Sequence, residues 1–133
     1  MDAVFALLDA VCGTISHRNK YFMAAKIAAF LITLVLTVIL GVIGFALLML
    51  ALNGYSESDS MYSMGTYGIF AFLLVFAAAA IAAGVAHLLI AREFKTVGAV
   101  MISTIAGGAF AVVAILVLIV IGVLLAEYFQ RYS

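Results

Sequence analysis

Charged residues are scarce in this 133-residue sequence, and proline and tryptophan are absent altogether. Six basic and six acidic residues make up 9% of the chain and give a net charge of zero. A neutral chain has no basic field with which to hold a nucleic acid, which argues against such a partner. Cys12 is the only cysteine, so the sequence offers neither an internal disulfide nor a Cys/His cluster for zinc.

Apolar residues are in large excess. They form 69% of the chain, and the mean hydropathy is +1.40, whereas soluble domains are about half apolar and a quarter charged. A globule of this size cannot hide so much apolar surface from water. The sequence therefore predicts an integral membrane protein whose main solvent is lipid.

Three apolar runs predict three transmembrane helices, at residues 27–52, 67–91 and 97–126. At 1.5 Å per residue the shortest run reaches roughly 37 Å, which is enough to cross a hydrocarbon core of about 30 Å. The runs must be helical because lipid offers no partner for backbone polar groups. No linker divides them, so residues 1–133 are predicted to form a single membrane domain.

Residues 1–13 have the pattern of a short amphipathic helix. Asp2 and Asp9 lie on one helical face, and Gly13 is expected to end the helix. The apolar residues of this segment share the other face: Met1, Val4, Phe5, Leu8 and Val11. The predicted fold class is therefore all-α integral membrane, with three transmembrane helices preceded by a short surface helix.

Basic residues predict the orientation of the chain in the membrane. Five of them flank the end of the bundle that holds the N-terminus and the second connection, and only Arg131 follows the third span; the five are Arg18, Lys20, Lys26, Arg92 and Lys95. The positive-inside rule then places the N-terminus in the cytoplasm and the C-terminus outside. The high content of Ala, Gly, Val and Leu suits a bacterial inner membrane.

The middle of each span contains no Asp, Glu, Lys or Arg. Proton relays, ion-coupled transporters and voltage sensors keep such groups in the membrane for their task, so these classes are disfavoured. The sequence also shows no nucleophile–histidine–acid set, no paired carboxylates at membrane depth and no HExxH spacing, so we expect no enzyme. A pore or holin-like protein needs no charges and remains an alternative.

Small residues recur at helical spacing in the second and third spans. The predicted packing face of the second span is Ala79, Ala80, Ala83 and Gly84, and that of the third is Ala99, Ser103, Gly107 and Ala111. Small residues let helix backbones approach closely in lipid. We expect these two spans to form a tight antiparallel hairpin, which leaves the first span to face lipid or a partner. Thr33 and Thr37 are expected to donate to carbonyls of their own helix.

His87 is the one ionisable residue inside a predicted span, and it lies beside Ala83 and Gly84. One interpretation places it at the cytoplasmic interface, bonded to a headgroup, water or a neighbouring helix. The other makes it an axial ligand to haem iron or to the metal of a chlorin that packs on the small residues.

Two short stretches, "GVAHLLI" (84–90) and "TISHR" (14–18), resemble the cytochrome b membrane-anchor subunit of succinate dehydrogenases. That resemblance implies a haem b ligand at His87 and a quinone pocket lined by Thr14 and Arg18. The chain departs from the family pattern at Ala86, where the family has arginine, and it lacks the family's proline. Without the resemblance, the basic cluster that contains Arg18 is an ordinary topology signal.

The sequence leaves three functions open. The first is a small non-catalytic subunit, an accessory or scaffold protein that contacts lipid and either other membrane subunits or itself. The second is a redox membrane anchor that binds haem b, and quinone with it, in a respiratory complex. The third is a homo-oligomeric pore.

Overall fold

The computed structural model describes the backbone of residues 2–132, and the side chains of that range except those of residues 11–19 and 21. Within this range the chain forms three helices: α1 (Asp2–Ala51), α2 (Glu57–Ala91) and α3 (Thr96–Tyr132). Each contains a segment long and apolar enough to cross a membrane, beginning at Phe22 in α1. The predicted class, an all-α integral membrane protein with three spans, is confirmed.

The N-terminal segment is helical, as expected, but it does not end at Gly13. It continues into the first span as the single 50-residue helix α1. A glycine inside a helix costs only about 1 kcal/mol, and the sequence has no proline to interrupt the hydrogen-bond ladder. At 1.5 Å per residue α1 is roughly 75 Å long, so its first turns must extend beyond a hydrocarbon core of about 30 Å.

At the connections the helices extend beyond the apolar runs of the sequence. α2 begins at Glu57, well before residue 67, because Ser56 caps its first turn. The Ser56 hydroxyl accepts from the backbone N–H of Asp59 and donates to the Asp59 carboxylate. Glu57 and Asp59 also place negative charge at the positive end of the helix dipole. Polar residues therefore form the first turn of α2, and the hydropathy pattern alone does not predict that the helix begins there.

All three helices pack against one another, so the expectation that α1 stands apart from an α2–α3 hairpin is wrong. Each helix buries a line of mostly small residues at intervals of about one turn. The line of α1 is Ala25, Ala29, Thr33, Thr37, Gly44 and Leu48; that of α2 is Ser63, Tyr67, Leu74, Ala78, Ala82 and Ala86; and that of α3 is Ala99, Ser103, Gly107, Ala111, Ile115, Gly122 and Ala126. Most large apolar side chains point outward.

The three helices meet at Gly107. A Cβ atom at this position would lie 2.8 Å from the Thr33 methyl carbon of α1, 3.1 Å from the Ala82 Cβ and 3.2 Å from the Ala78 carbonyl oxygen. Two of these three neighbours are a backbone atom and a Cβ, which cannot swing away. Gly107 therefore fixes how near α1 and α2 come to α3.

Tyr67 joins α2 to α1 nearer the connection between these two helices. Its buried hydroxyl donates to the Gly41 carbonyl oxygen over 3.0 Å. Gly44, about one turn further along α1, leaves room for that hydroxyl, and a Cβ there would also come within 2.6 Å of the Ile115 side chain. A single glycine thus lets both α2 and α3 approach α1.

The two buried threonines of α1 behave differently. The Thr37 hydroxyl donates to the Thr33 carbonyl over 2.7 Å, which confirms the predicted bond to its own helix. The same prediction is wrong for Thr33, whose hydroxyl has no hydrogen-bond partner among the described residues. The methyl group of Thr33 faces Gly107, so its side chain contributes packing where the three helices meet.

We predict that Gly107→Ala destabilises the bundle and that Gly84→Ala does not. The new Cβ at position 107 meets three close neighbours, and such overpacking costs about 1–3 kcal/mol. At position 84 it meets no atom within 4 Å, and the gain in helix propensity is about 1 kcal/mol. Thermal unfolding of the purified variants, followed by circular dichroism in mild detergent, measures the difference. Equal unfolding temperatures would contradict the packing described for Gly107.

Candidate functional site

The helical glycines differ in what surrounds them. Gly44, Gly107, Gly108 and Gly122 are each so close to a side chain of another helix that an added Cβ atom would contact it. An added Cβ at Gly65, Gly68 or Gly84, all on α2 and all exposed, would meet no atom within 4 Å. Packing within the chain explains the first group, whereas it does not explain the second.

The three exposed glycines of α2 lie on the side of this helix that faces away from α1 and α3. We call this surface the outer face of α2 and define it by Gly65, Ile69, Phe72, Phe76, Ala80 and Gly84, all of which are exposed. Phe72 and Phe76 contact each other edge to face near its middle, with ring centroids 5.2 Å apart. The outer face therefore has a bulky aromatic centre and a recess of small residues toward each end.

The structure divides the predicted packing face of the second span. Ala79 is buried and Ala83 is half-buried, but Ala80 and Gly84 are exposed and take no part in packing within the chain. The buried line instead contains Ala78, Ala82 and Ala86. The run "AAAAIAAG" offers small residues on every side of the helix, so spacing alone could not select the side that turns inward.

The structure buries all four predicted residues of the third span, Ala99, Ser103, Gly107 and Ala111. Sequence reasoning missed the matching line on α1, formed by Ala25, Ala29, Thr33, Thr37 and Gly44. The signal was present as small or hydroxyl residues at every fourth position from 25 to 37. It was hidden by the Leu, Ile and Val residues that surround it.

His87 lies near the end of α2 with an exposed side chain. Its ring contacts the Phe22 ring of α1 edge to face, with centroids 5.4 Å apart and an interplanar angle of 84°. The Lys26 ammonium lies 4.3 Å from the centroid of the same Phe22 ring, which is a cation–π contact. Phe22 thus joins the imidazole to a cation at the end of the bundle that carries most basic residues.

Thr14 and Arg18, the residues of the quinone hypothesis, belong to α1, but their side chains lie outside the described residues. Among the side chains that are described, no group of three or more His, Cys, Asp or Glu residues is arranged to hold a metal ion. The buried polar side chains of the described bundle are Thr33, Thr37, Ser63, Ser103 and Asp59. Four of these five side chains are hydroxyl groups of residues in the packing lines, so this arrangement supports helix packing.

Comparison of the chain with known proteins does not assign it to a family. No protein-family model matches the chain, no curated protein matches it, and no solved structure matches it.

Proposed function

We propose that this protein is a non-catalytic accessory subunit that holds an apolar transmembrane helix of another subunit against the outer face of α2. The observation that carries the proposal is the pair of uncovered glycines, Gly65 and Gly84, on the outward side of the helix. Each costs helix stability without allowing any close approach inside the chain. A partner helix would give both of them the close contact that other glycines find within the bundle.

Packing physics in lipid supports this assignment. Apolar surface alone does not drive helices together in a bilayer, because lipid tails are as apolar as leucine. Association depends on close backbone approach at small residues, and Ala80 and Gly84 supply one such position on an exposed surface. The Phe72–Phe76 pair between the recesses offers a shape that a matching groove on the partner would fit.

The first turns of α1 supply a second unpartnered surface. Val4, Phe5 and Leu8 are exposed, and the part of α1 before Phe22 lies outside the candidate span. An amphipathic helix of this kind binds either the bilayer surface or a partner. We propose that it lies on the cytoplasmic side of a bacterial inner membrane, with the C-terminus outside, because basic residues concentrate at that end of the bundle.

A redox anchor that binds haem b is the second candidate. The observation that favours it is that the exposed His87 ring follows the uncovered Gly84 by one turn, so a planar macrocycle could reach the imidazole along small residues. The resemblance of "GVAHLLI" to the succinate dehydrogenase anchor points to the same residue. Gly107 and its neighbours fill the space between the three helices of one chain, so a pore would have to form between copies of the chain.

We predict that leucine at the outer face of α2 breaks contact with the partner. Gly65→Leu combined with Gly84→Leu should lower the partner recovered in mild detergent at least tenfold, because the backbones can no longer approach. Ala109→Leu, on the exposed side of α3, is the matched control and should retain it. A photoreactive amino acid at Ala80 should crosslink the partner, and one at Ala109 should not. A stable monomer that crosslinks nothing at Ala80 would overturn the proposal.

The two leading candidates make opposite predictions for an absorption spectrum. A haem anchor purified from its native membrane shows a Soret band and bound haem, both of which disappear in His87→Ala. A purely packing subunit is colourless, and His87→Ala leaves its partner content unchanged. If the chain is colourless but empties dye from liposomes at low protein content, a pore replaces both candidates.

Cysteine labelling tests the proposed orientation, because Cys12 is the only native cysteine. A membrane-impermeant maleimide applied to intact cells should not modify Cys12 until the membrane is permeabilised. In a Cys12→Ser background, Ser58→Cys in the exposed first connection should be labelled from outside, and Lys95→Cys in the second should not. The reverse pattern at both connections would show that the N-terminus is outside.

A further inference from the structure

A cavity of about 420 Å³ lies at the outer end of the bundle, between the last turn of α1 and the first turns of α2. Its lining includes three methionines, Met49, Met61 and Met64, together with Glu57 and Asn53. The whole chain has six methionines, so half of them line one cavity. The cavity shares no residue with the outer face of α2, on which the proposed function rests.

Packing does not explain all three methionines. Met64 packs against the buried cluster that contains Leu48, Leu52 and Tyr67. Met61, by contrast, is 75% exposed and Met49 is 49% exposed. Met61 and Met64 are three residues apart on α2, a spacing that places them side by side on the helix surface. Two thioethers from α2 and one from α1 therefore border the same space without all being needed to fill the bundle.

The chemistry of these groups selects a narrow class of ligand. A thioether is neutral and soft, and it has no proton to lose before it binds a metal. Soft sulfur ligands select Cu(I), whereas carboxylate and carbonyl oxygens suit magnesium, calcium and manganese. The cavity holds one carboxylate, that of Glu57, whose single negative charge complements a monovalent cation. We propose that this outer cavity binds Cu(I) through Met49, Met61 and Met64.

The proposal is tested on the purified full-length chain in mild detergent, with each chain also made in a Cys12→Ser background because a free thiol itself binds Cu(I). Cu(I) is kept reduced with ascorbate and titrated from a chromophoric chelator, and Ag(I) serves as a redox-inert second probe. We expect one ion per chain. Met61→Leu combined with Met64→Leu should weaken binding at least tenfold, and addition of Met49→Leu should abolish it. Met23→Leu combined with Met101→Leu is the matched control and should bind as the original chain does.

Leucine is close to methionine in volume, so these variants should keep the fold. Circular dichroism of each variant checks that they do. The proposal is overturned if the original chain takes no Cu(I) from the chelator, or if the triple variant binds as the control does.

A second measurement identifies the ligands. Binding through thioethers should be unchanged between about pH 5 and pH 8, since these groups do not protonate there. A site that used His87 or the Cys12 thiolate would weaken as the pH falls, because both must lose a proton to bind a metal. X-ray absorption at the copper edge should show a sulfur shell, and a nitrogen or oxygen shell in its place would overturn the assignment.

Discussion

The contact of α1 and α2 with α3 at Gly107 is the one on which the rest of the bundle depends. In lipid the helices gain little from hiding apolar side chains, so they must gain from van der Waals contact at short range. Thr33 meets Gly107 from α1, and Ala78 and Ala82 meet it from α2. Because α1 and α3 run parallel, this contact also sets the register in which Leu48, near the end of α1, packs on Gly122.

That constraint inverts the usual distribution of side chains. The buried line of each helix consists mainly of Ala, Gly, Ser and Thr, while Leu, Ile, Val and Phe cover the outside. The inside has room for few large groups, and Tyr67 fits only because Gly44 makes space beside its hydroxyl. Glycines that serve the interior can therefore be told from glycines that do not. Gly41, Gly65, Gly68, Gly84 and Gly98 are helical glycines whose added Cβ would meet no atom within 4 Å, and of these Gly65, Gly68 and Gly84, all on α2, are exposed.

The sequence predicted the three helices and the buried line of α3, since Ala99, Ser103, Gly107 and Ala111 are separated by larger residues. It could not select the inward side of α2, where alanine occupies almost every position from 77 to 83. It missed the role of α1 because Ala25 and Ala29 precede or begin the apolar run. The contact between Thr33 and Gly107 in the structure identifies the buried line of α1. The hydropathy pattern did not predict the helix ends, because polar capping residues such as Ser56 extend the helices beyond the apolar runs.

The geometry of the outer face of α2 constrains what can cover it. Gly65 and Gly84 are nineteen residues apart, which is roughly 28 Å along a helix, close to the hydrocarbon thickness of about 30 Å. The two recesses therefore lie about as far apart as the hydrocarbon core is thick, and the Phe72–Phe76 pair lies between them. A soluble segment would leave its polar groups against apolar surface for this whole length. The proposed partner must therefore be an apolar helix that itself crosses the membrane, and it would approach most closely where Gly65 and Gly84 lie.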